Sequence, residues 1–315
     1  MIARRTKRKN FNVALFGLGN FGRNYVRLLA DFPGARLHTV VTKSGRKNPD
    51  IALPSDTEVT ADPKKVWHNS DIDAVIIVTP PANHFALAKA ALESGKHVLV
   101  EKPMVVGLKE ARALQHIVTA TGNILAVGHQ YLFNPYVRYL KGQLDEKSLG
   151  AVFHVISEHL VSPARNDVDA FYDAAPHPLS VMHYLFNPGK IVDVCGFSRR
   201  IGGNRFAQTA VATVKFERPP LLTITASWVG DRKTRRLTLV SDRCRATLDE
   251  TLPDKRLSIS ESGGIHKPVV AAIEPLRAEL EHFFACIRTG TQPLASVKLG
   301  VIIAGWLETI SRSIR

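Results

Sequence analysis

Asn12-Val13-Ala14-Leu15-Phe16-Gly17-Leu18-Gly19-Asn20-Phe21-Gly22 joins a continuous apolar run to three glycines spaced G-x-G-x-x-G. Apolar residues without polar alternation suit a strand buried on both faces. The glycine spacing then has a mechanical reading. Gly17 permits a tight turn, Gly19 lets a pyrophosphate approach the backbone, and Gly22 allows close packing of a following helix whose amino terminus attracts phosphate. Outward from this stretch, apolar runs at 37–41, 74–78, 97–100 and 124–127 alternate with helical patterns, as at 85–92 before Gly95. That alternation is the signature of βαβ units. Residues 11–128 are therefore expected to form a doubly wound parallel sheet, a Rossmann domain binding NAD(P), with Gly17, Gly19, Asn20, Phe21 and Gly22 at the dinucleotide.

After Gly128 the pattern changes. A helix is expected at 136–144, a strand from Val152, an irregular segment at 162–172 and a short helix after Pro176. From 191 to 259 only strand-like stretches occur, among them 210–216, 221–228 and 237–240, and their sequential order predicts an antiparallel sheet. Helices at 276–289 and 297–313 finish the chain, with packing back on the first domain as one option. The fold class expected is α/β, a Rossmann domain followed by an α+β domain (129–315) with a large, mainly antiparallel sheet for substrate and oligomerisation.

The chain has 315 residues, 45% of them hydrophobic, enough for two domains with sizeable cores. Cys195, Cys244 and Cys286 are widely spaced and form no metal or disulfide pattern, so reduced thiols and no metal are expected. The formal charge is +14, and Arg4, Arg5, Lys7, Arg8 and Lys9 supply five of those charges before the first strand. Residues 1–10 read as a solvated basic tail. Nucleic-acid binding is the other reading of this charge, but interleaved aromatics are missing and no partner of that kind is expected. No apolar segment reaches the roughly 20 residues of a membrane span, and no apolar stretch of the signal-peptide kind follows the basic tail, so a soluble cytoplasmic protein is the expectation.

About 20 residues past the glycines, a carboxylate usually accepts from the ribose hydroxyls of NAD. Here Thr42-Lys43-Ser44-Gly45-Arg46-Lys47 stands instead. Thr42, Lys43, Ser44 and Arg46 offer hydroxyls and cations to a phosphate, so NADP is the preferred cofactor, NAD a second option, and a solvated basic turn the alternative. Thr79-Pro80-Pro81-Ala82-Asn83-His84 follows the next strand, where Thr79 and Pro80 can wall the ligand crevice and His84 opens a helix; as an isolated histidine, His84 reads as structural rather than catalytic.

Glu101-Lys102-Pro103 closes the run 97–100 and puts an amine at a strand's carboxyl end, which faces the crevice of an open parallel sheet. Gly128-His129-Gln130, read as the end of the last Rossmann strand, then Asn134-Pro135 and Asp173-x-x-x-His177 follow. With the glycine fingerprint and Thr79-Pro80 to His84, these motifs resemble the Gfo/Idh/MocA oxidoreductases, which include glucose-fructose oxidoreductase and inositol dehydrogenases. The run from Pro275-Leu276 through Glu281, Phe283 and Phe284 to Gly290 is similar to that family's penultimate helix. The resemblance covers nearly the whole chain apart from the tail. It implies hydride transfer between a nicotinamide and a carbinol or carbonyl of a sugar, cyclitol or nucleotide sugar. It also implies a homodimer or homotetramer through the second sheet, and catalytic positions Lys102, Asp173 and His177. A non-catalytic cofactor-binding regulator of the same fold is the alternative, against which the intact catalytic set stands.

Residue chemistry agrees with these roles. A histidine of reference pKa about 6.5 moves protons at neutral pH, whereas a lysine at about 10.4 needs depression by roughly 3.4, about 4.6 kcal/mol, to act as a neutral base. His177 is thus the better base and Lys102 the better donor, with Asp173 orienting the imidazole. Pro176 disfavours helical dihedrals at Ala175, so Pro176 is expected as the helix's first residue and Asp173 in the preceding loop. The family often carries Asp after this histidine, where Pro178 stands. Glu101, Lys102 and Gln130 are further cofactor candidates, and Lys102, Gln130, Tyr131, Asn134 and His177 substrate candidates, with packing an equal reading for Gln130. Arg138 is a further crevice candidate, His154 and His183 read as packed residues, and the cluster Arg232, Lys233, Arg235, Arg236 reads as a solvated loop or a phosphate contact.

Overall fold

The computed structural model describes residues 10–161, 168–230, 232–254 and 256–314. Residues 1–9 of the expected basic tail and residues 162–167 of the expected irregular segment lie outside the described residues. The chain divides into two compact units, residues 1–128 with 277–304, and 129–276 with 305–315.

In the first unit, strands β1 (Phe11–Phe16), β2 (Ala35–Val41), β3 (Glu58–Thr60), β4 (Ala74–Ile77), β5 (His97–Glu101) and β6 (Leu125–Gly128) pair in parallel in the order β3-β2-β1-β4-β5-β6. The order reverses beside β1, as in a doubly wound sheet. Helices α1 (Gly22–Leu29), α2 (Lys64–Trp67), α3 (His84–Glu93) and α4 (Leu108–Thr121) connect the strands. Val13, Ala14 and Leu15 are fully buried, as are all four residues of β4. Each large aliphatic side chain so enclosed contributes about 1.5–3 kcal/mol, which is why the apolar runs admit no alternation. Gly95 and Gly122 adopt the left-handed conformation where α3 and α4 stop. β3 is the strand the sequence did not announce, having only three residues. β6 ends at Gly128, so His129 and Gln130 lie past the strand rather than in it; Gln130–Phe133 form a 3₁₀ turn.

The second unit opens with α5 (Pro135–Asp145) and β7 (Val152–Leu160), continues through α6 (Ala170–Ala174) and α7 (Pro176–Phe186), and then runs into strands. These are β8 (Ile191–Arg199), β9 (Thr209–Phe216), β10 (Leu221–Ser227), β11 (Thr234–Ser241), β12 (Arg245–Asp249), β13 (Leu257–Glu261) and β14 (Gly264–His266). The sheet order is β14-β13-β12-β11-β7-β10-β9-β8. Sequential pairing is therefore interrupted: β7 enters between β10 and β11, parallel to the former and antiparallel to the latter. Along β9, Ala210, Ala212, Val214 and Phe216 are buried on one face while Val211 is exposed on the other. α8 (Pro275–Thr289) and α9 (Val297–Ser313) complete the elements; Phe284 of α8 stacks on Phe11 at 5.4 Å within the first unit.

Two local expectations change. Residues 170–172 are helical rather than irregular, and Asp173 sits inside α6 rather than in a loop. Ala175 adopts helical dihedrals (φ −62°, ψ −28°) directly before Pro176. Only a methyl group faces the proline ring there, and the missing proline N–H falls where α6 ends and α7 begins, so the usual restriction is tolerated. Pro176 does open α7.

Candidate active site

In the first unit the glycine turn has the shape its spacing requires. Gly17 has φ +99°, and a β-carbon there would come within 2.6 Å of the Val78 carbonyl oxygen. A β-carbon on Gly22 would meet the Gly17 oxygen at 2.4 Å, while nothing lies within 4 Å of one on Gly19. The turn is thus closed by Gly17 and Gly22 and left bare at Gly19, with α1 starting directly behind it. These residues fit a dinucleotide pyrophosphate. Asn20 is exposed and Phe21 packs edge-on against Tyr25 at 5.9 Å. After β2, Thr42 donates its backbone N–H to Thr60, and Gly45 (φ +66°) donates to Thr42 at 3.2 Å. Lys43, Ser44 and Arg46 are exposed on this turn.

His84 is almost wholly buried. Its Nδ1 lies 2.9 Å from the Pro103 carbonyl oxygen and its Nε2 2.8 Å from that of Thr79. Burial chiefly lowers its pKa, opposed by these backbone carbonyls, and the ring bridges the 79–83 and 102–104 turns. Pro80 is exposed beside it, and the buried Thr79 hydroxyl has no hydrogen-bond partner among the described residues. Glu101, the last residue of β5, is pinned on three sides. Its Oε1 accepts from the Tyr25 hydroxyl at 2.7 Å and its Oε2 from the Lys102 N–H at 3.1 Å, while a β-carbon on Gly128 would touch the carboxyl at 2.9 Å. Burial raises its pKa to about 7. Glu279 on α8 is buried too, and burial followed by the charge of Glu101 pushes it well above the carboxylate range. Lys102 is half-buried and joined to Pro103 by a cis peptide bond.

In the second unit, His177 stands in the first turn of α7 and is 7% exposed. The Tyr131 ring lies 4.4 Å from its ring and the His159 ring stacks on it at 5.6 Å, 15° from parallel. His159 is on β7, paired across the sheet with Arg235 of β11, and Arg235 in turn accepts through its carbonyl from the Glu250 N–H at 2.9 Å. Together with Ser157, Val181 and Leu248 these residues line one pocket. Asn134 caps α5, its Oδ1 accepting from the Tyr136 N–H at 2.9 Å, while its amide donates to Glu250 at 2.6 Å. Burial raises the pKa of Glu250, opposed by Tyr131, Arg235 and Asn134. Burial and then the Glu250 charge raise that of the Tyr131 hydroxyl.

The other candidates disperse. Gln130 is half-buried in the 3₁₀ turn, and Arg138 donates to the Leu132 carbonyl beneath the Phe133 ring. His154 meets the Thr223 hydroxyl at 2.8 Å and His183 packs on Trp306. Arg232 and Lys233 are exposed, whereas Arg236 pairs with Asp249 at 2.9 Å and Glu158 at 3.5 Å. His159, Ser157 and Glu250 were missed, because they meet His177 only through cross-strand pairing. Arg235 was noted only as part of a basic run; its place opposite His159 on alternate positions of β11 was not.

Comparison with known proteins bears on what these two arrangements are. Residues 11–129 match the family described as oxidoreductase family, NAD-binding Rossmann fold, and residues 137–247 match the Gfo/Idh/MocA C-terminal domain. The chain is 35% identical over 188 residues to the uncharacterized oxidoreductase YdgJ of Escherichia coli K12, an alignment taking in 56% of this chain and 54% of that protein. It therefore spans about half the length of that relative. It is 27% identical over 323 residues to scyllo-inositol 2-dehydrogenase (NAD(+)) of Bacillus subtilis 168, covering 92% of each. A crystal structure from Magnetospirillum magnetotacticum MS-1, assigned to the oxidoreductases, superposes with a TM-score of 0.83 at 29% identity, over 95% of this chain and 99% of that one. With both of its units matched in order, over most of its length, the chain belongs to the Gfo/Idh/MocA family of oxidoreductases, built on an NAD(P)-binding Rossmann unit.

Proposed function

We propose that this protein is an NADP-preferring dehydrogenase or reductase acting on a CH–OH group of a sugar, cyclitol or nucleotide sugar. The observation that carries the reading is the unit-2 pocket, where His177 is held between Tyr131 and His159 beside the donors and acceptors Arg235, Ser157 and Glu250. Such a lining suits hydroxyl-rich substrates. Similarity over 92% of a dehydrogenase named for an inositol supports it. No observation favours a non-catalytic regulator.

When bound, the dinucleotide supplies the hydride acceptor for oxidation or the donor for reduction. In oxidation, Lys102 donates a hydrogen bond to the reacting oxygen, His177 takes the hydroxyl proton as the carbon loses hydride, and Asp173 positions the imidazole. Gly17, Gly19, Asn20, Phe21 and Gly22 receive the pyrophosphate, and Thr42, Lys43, Ser44 and Arg46 the ribose phosphate. Thr79 and Pro80, clasped through His84, wall the crevice, and Glu101 fixes Lys102 through its backbone N–H. Gln130, Tyr131 and Asn134 complete the substrate and nicotinamide surroundings. The open face of the second sheet, with Phe197, Val211 and Leu221 exposed, supports a homo-oligomer. Among the described residues no helix is long and apolar enough to cross a membrane; the protein is proposed to work in the cytoplasm, without nucleic acid.

The test is NADP- and NAD-linked absorbance across sugars, cyclitols and nucleotide sugars. Turnover with one polyol, lost in Lys102→Met and His177→Ala while dinucleotide binding persists, is the expected result. Unchanged activity in either variant removes its assigned role, and higher kcat/KM with NAD overturns the cofactor preference.

A further inference from the structure

The pocket of the second unit contains a charged pair whose side chains do not meet. Arg235 and Glu250 sit side by side in the sheet, joined through the backbone, and feel one another's charge. Yet no side-chain hydrogen bond or ion pair between them occurs among the described residues. Glu250 is instead held by the Asn134 amide, which fixes one oxygen. The Nε–H of Arg235 is buried with no acceptor among the described residues. A buried donor left in that state is costly to the fold unless something else satisfies it. Both groups face the space bounded by His159, His177 and Tyr131.

We propose that Arg235 and Glu250 are a specificity-determining pair that reads two neighbouring hydroxyls of an uncharged polyol ring, Arg235 donating to one oxygen and Glu250 accepting from the next. The proposal rests on the dehydrogenase reading above and names the substrate feature that this pocket selects. A vicinal diol suits the pair because one hydroxyl oxygen accepts while its neighbour donates. Charge decides against an anionic substrate. Arg235 is balanced by Glu250, and Arg236, the other cation of the lining, is occupied by Asp249 and Glu158. Among the described residues of this lining no further cation remains to hold a phosphate or carboxylate. His177 and Tyr131 line the same pocket as the pair, which puts the diol that is read on the same side of the substrate as the proposed base.

The test takes the polyol with the highest kcat/KM in the panel above together with its monodeoxy analogues, on wild type, Arg235→Met and Glu250→Gln. Each variant is expected to lose about 10- to 100-fold in kcat/KM on the parent polyol, the size of a hydrogen bond to a charged partner. Each should lose little more on the one analogue lacking the hydroxyl it reads, and the two analogues should differ at adjacent carbons. Dinucleotide affinity, measured by fluorescence titration, should stay within about twofold, since neither residue touches that site. Equal losses on all analogues, activity unchanged from wild type, or faster turnover of a sugar phosphate would overturn the pair. If Arg235→Met melts early, Arg235→Lys and Glu250→Gln carry the same comparison. If wild type turns over no polyol, the dehydrogenase reading fails by itself. Saturation-transfer NMR of scyllo-inositol on the dinucleotide-loaded protein then decides: binding lost in both variants upholds the pair, and no binding to wild type overturns it.

Discussion

Glu101 ties the stability of the first unit to pH. It is buried, and burial raises its pKa from 4.5 to about 7 despite the Tyr25 hydroxyl and the charge and N–H of Lys102, which favour its charged form. A group whose pKa is higher in the folded state holds its proton more tightly there. Its stabilising contribution is complete below about pH 4.5 and disappears as pH rises through about 7, amounting to roughly 3 kcal/mol. Glu101→Gln keeps the shape and an oxygen for Tyr25 but cannot titrate. Glu279 is raised chiefly by burial, which both proteins share, and only the smaller part due to the Glu101 charge is lost in the variant. The assay is native-state hydrogen exchange at the amides of β4 and β5, which reads the opening of that unit. From pH 5 to 8, wild type is expected to lose about 2.5 kcal/mol relative to the variant. A wild-type minus variant difference that stays constant over that range would refute the coupling of Glu101 to the fold.

Gly17→Ala should both strain the turn and drive a methyl group toward the Val78 carbonyl, lowering stability by about 1–3 kcal/mol and raising the dinucleotide Kd more than tenfold; thermal melts and fluorescence titration check it. Asn134→Ala removes the α5 cap and the amide that holds Glu250, at a cost of about 1–2 kcal/mol in urea unfolding and a rise in KM for the polyol. Exchanging Arg46 for Glu should shift the NADP over NAD ratio of kcat/KM at least about tenfold toward NAD, the worth of one charge-assisted phosphate contact. Gly300→Leu should lower the melting stability by about 1–3 kcal/mol, because a β-carbon there comes within 2.5 Å of the Met104 sulfur and the added branch must displace that buried side chain.

The first unit was legible because a parallel sheet covered on both faces needs uninterrupted apolar runs, and such runs, punctuated by glycine or proline turns, stand at β1, β2, β4, β5 and β6. β3 has Glu, Val and Thr, too few residues to show a period. In the second unit, strand identity was legible from alternation but strand order was not. The insertion of β7 between β10 and β11 depends on contacts some 70 residues apart, as in the pairing of Leu222 with Val155. The same cause hid the pocket. His177 announces itself by its motif, but His159, Arg235 and Glu250 acquire meaning only when β7, β11 and the end of β12 lie side by side. Asp173 was misplaced because the rule for residues before proline is a preference, and a buried alanine can override it.

That insertion also sets an order of assembly. β8, β9 and β10 can form one antiparallel meander from local contacts, and β11 to β14 can form another, each closing only short loops. Neither meander pairs with the other. They become one sheet only when β7, made earlier in the chain, is captured along both of its edges, which requires closing two long loops at once. The His159 side of the pocket arrives with that strand. Folding of the second unit should therefore be limited by a late, high-contact-order docking step, and the substrate pocket should be the last part of the molecule to exist.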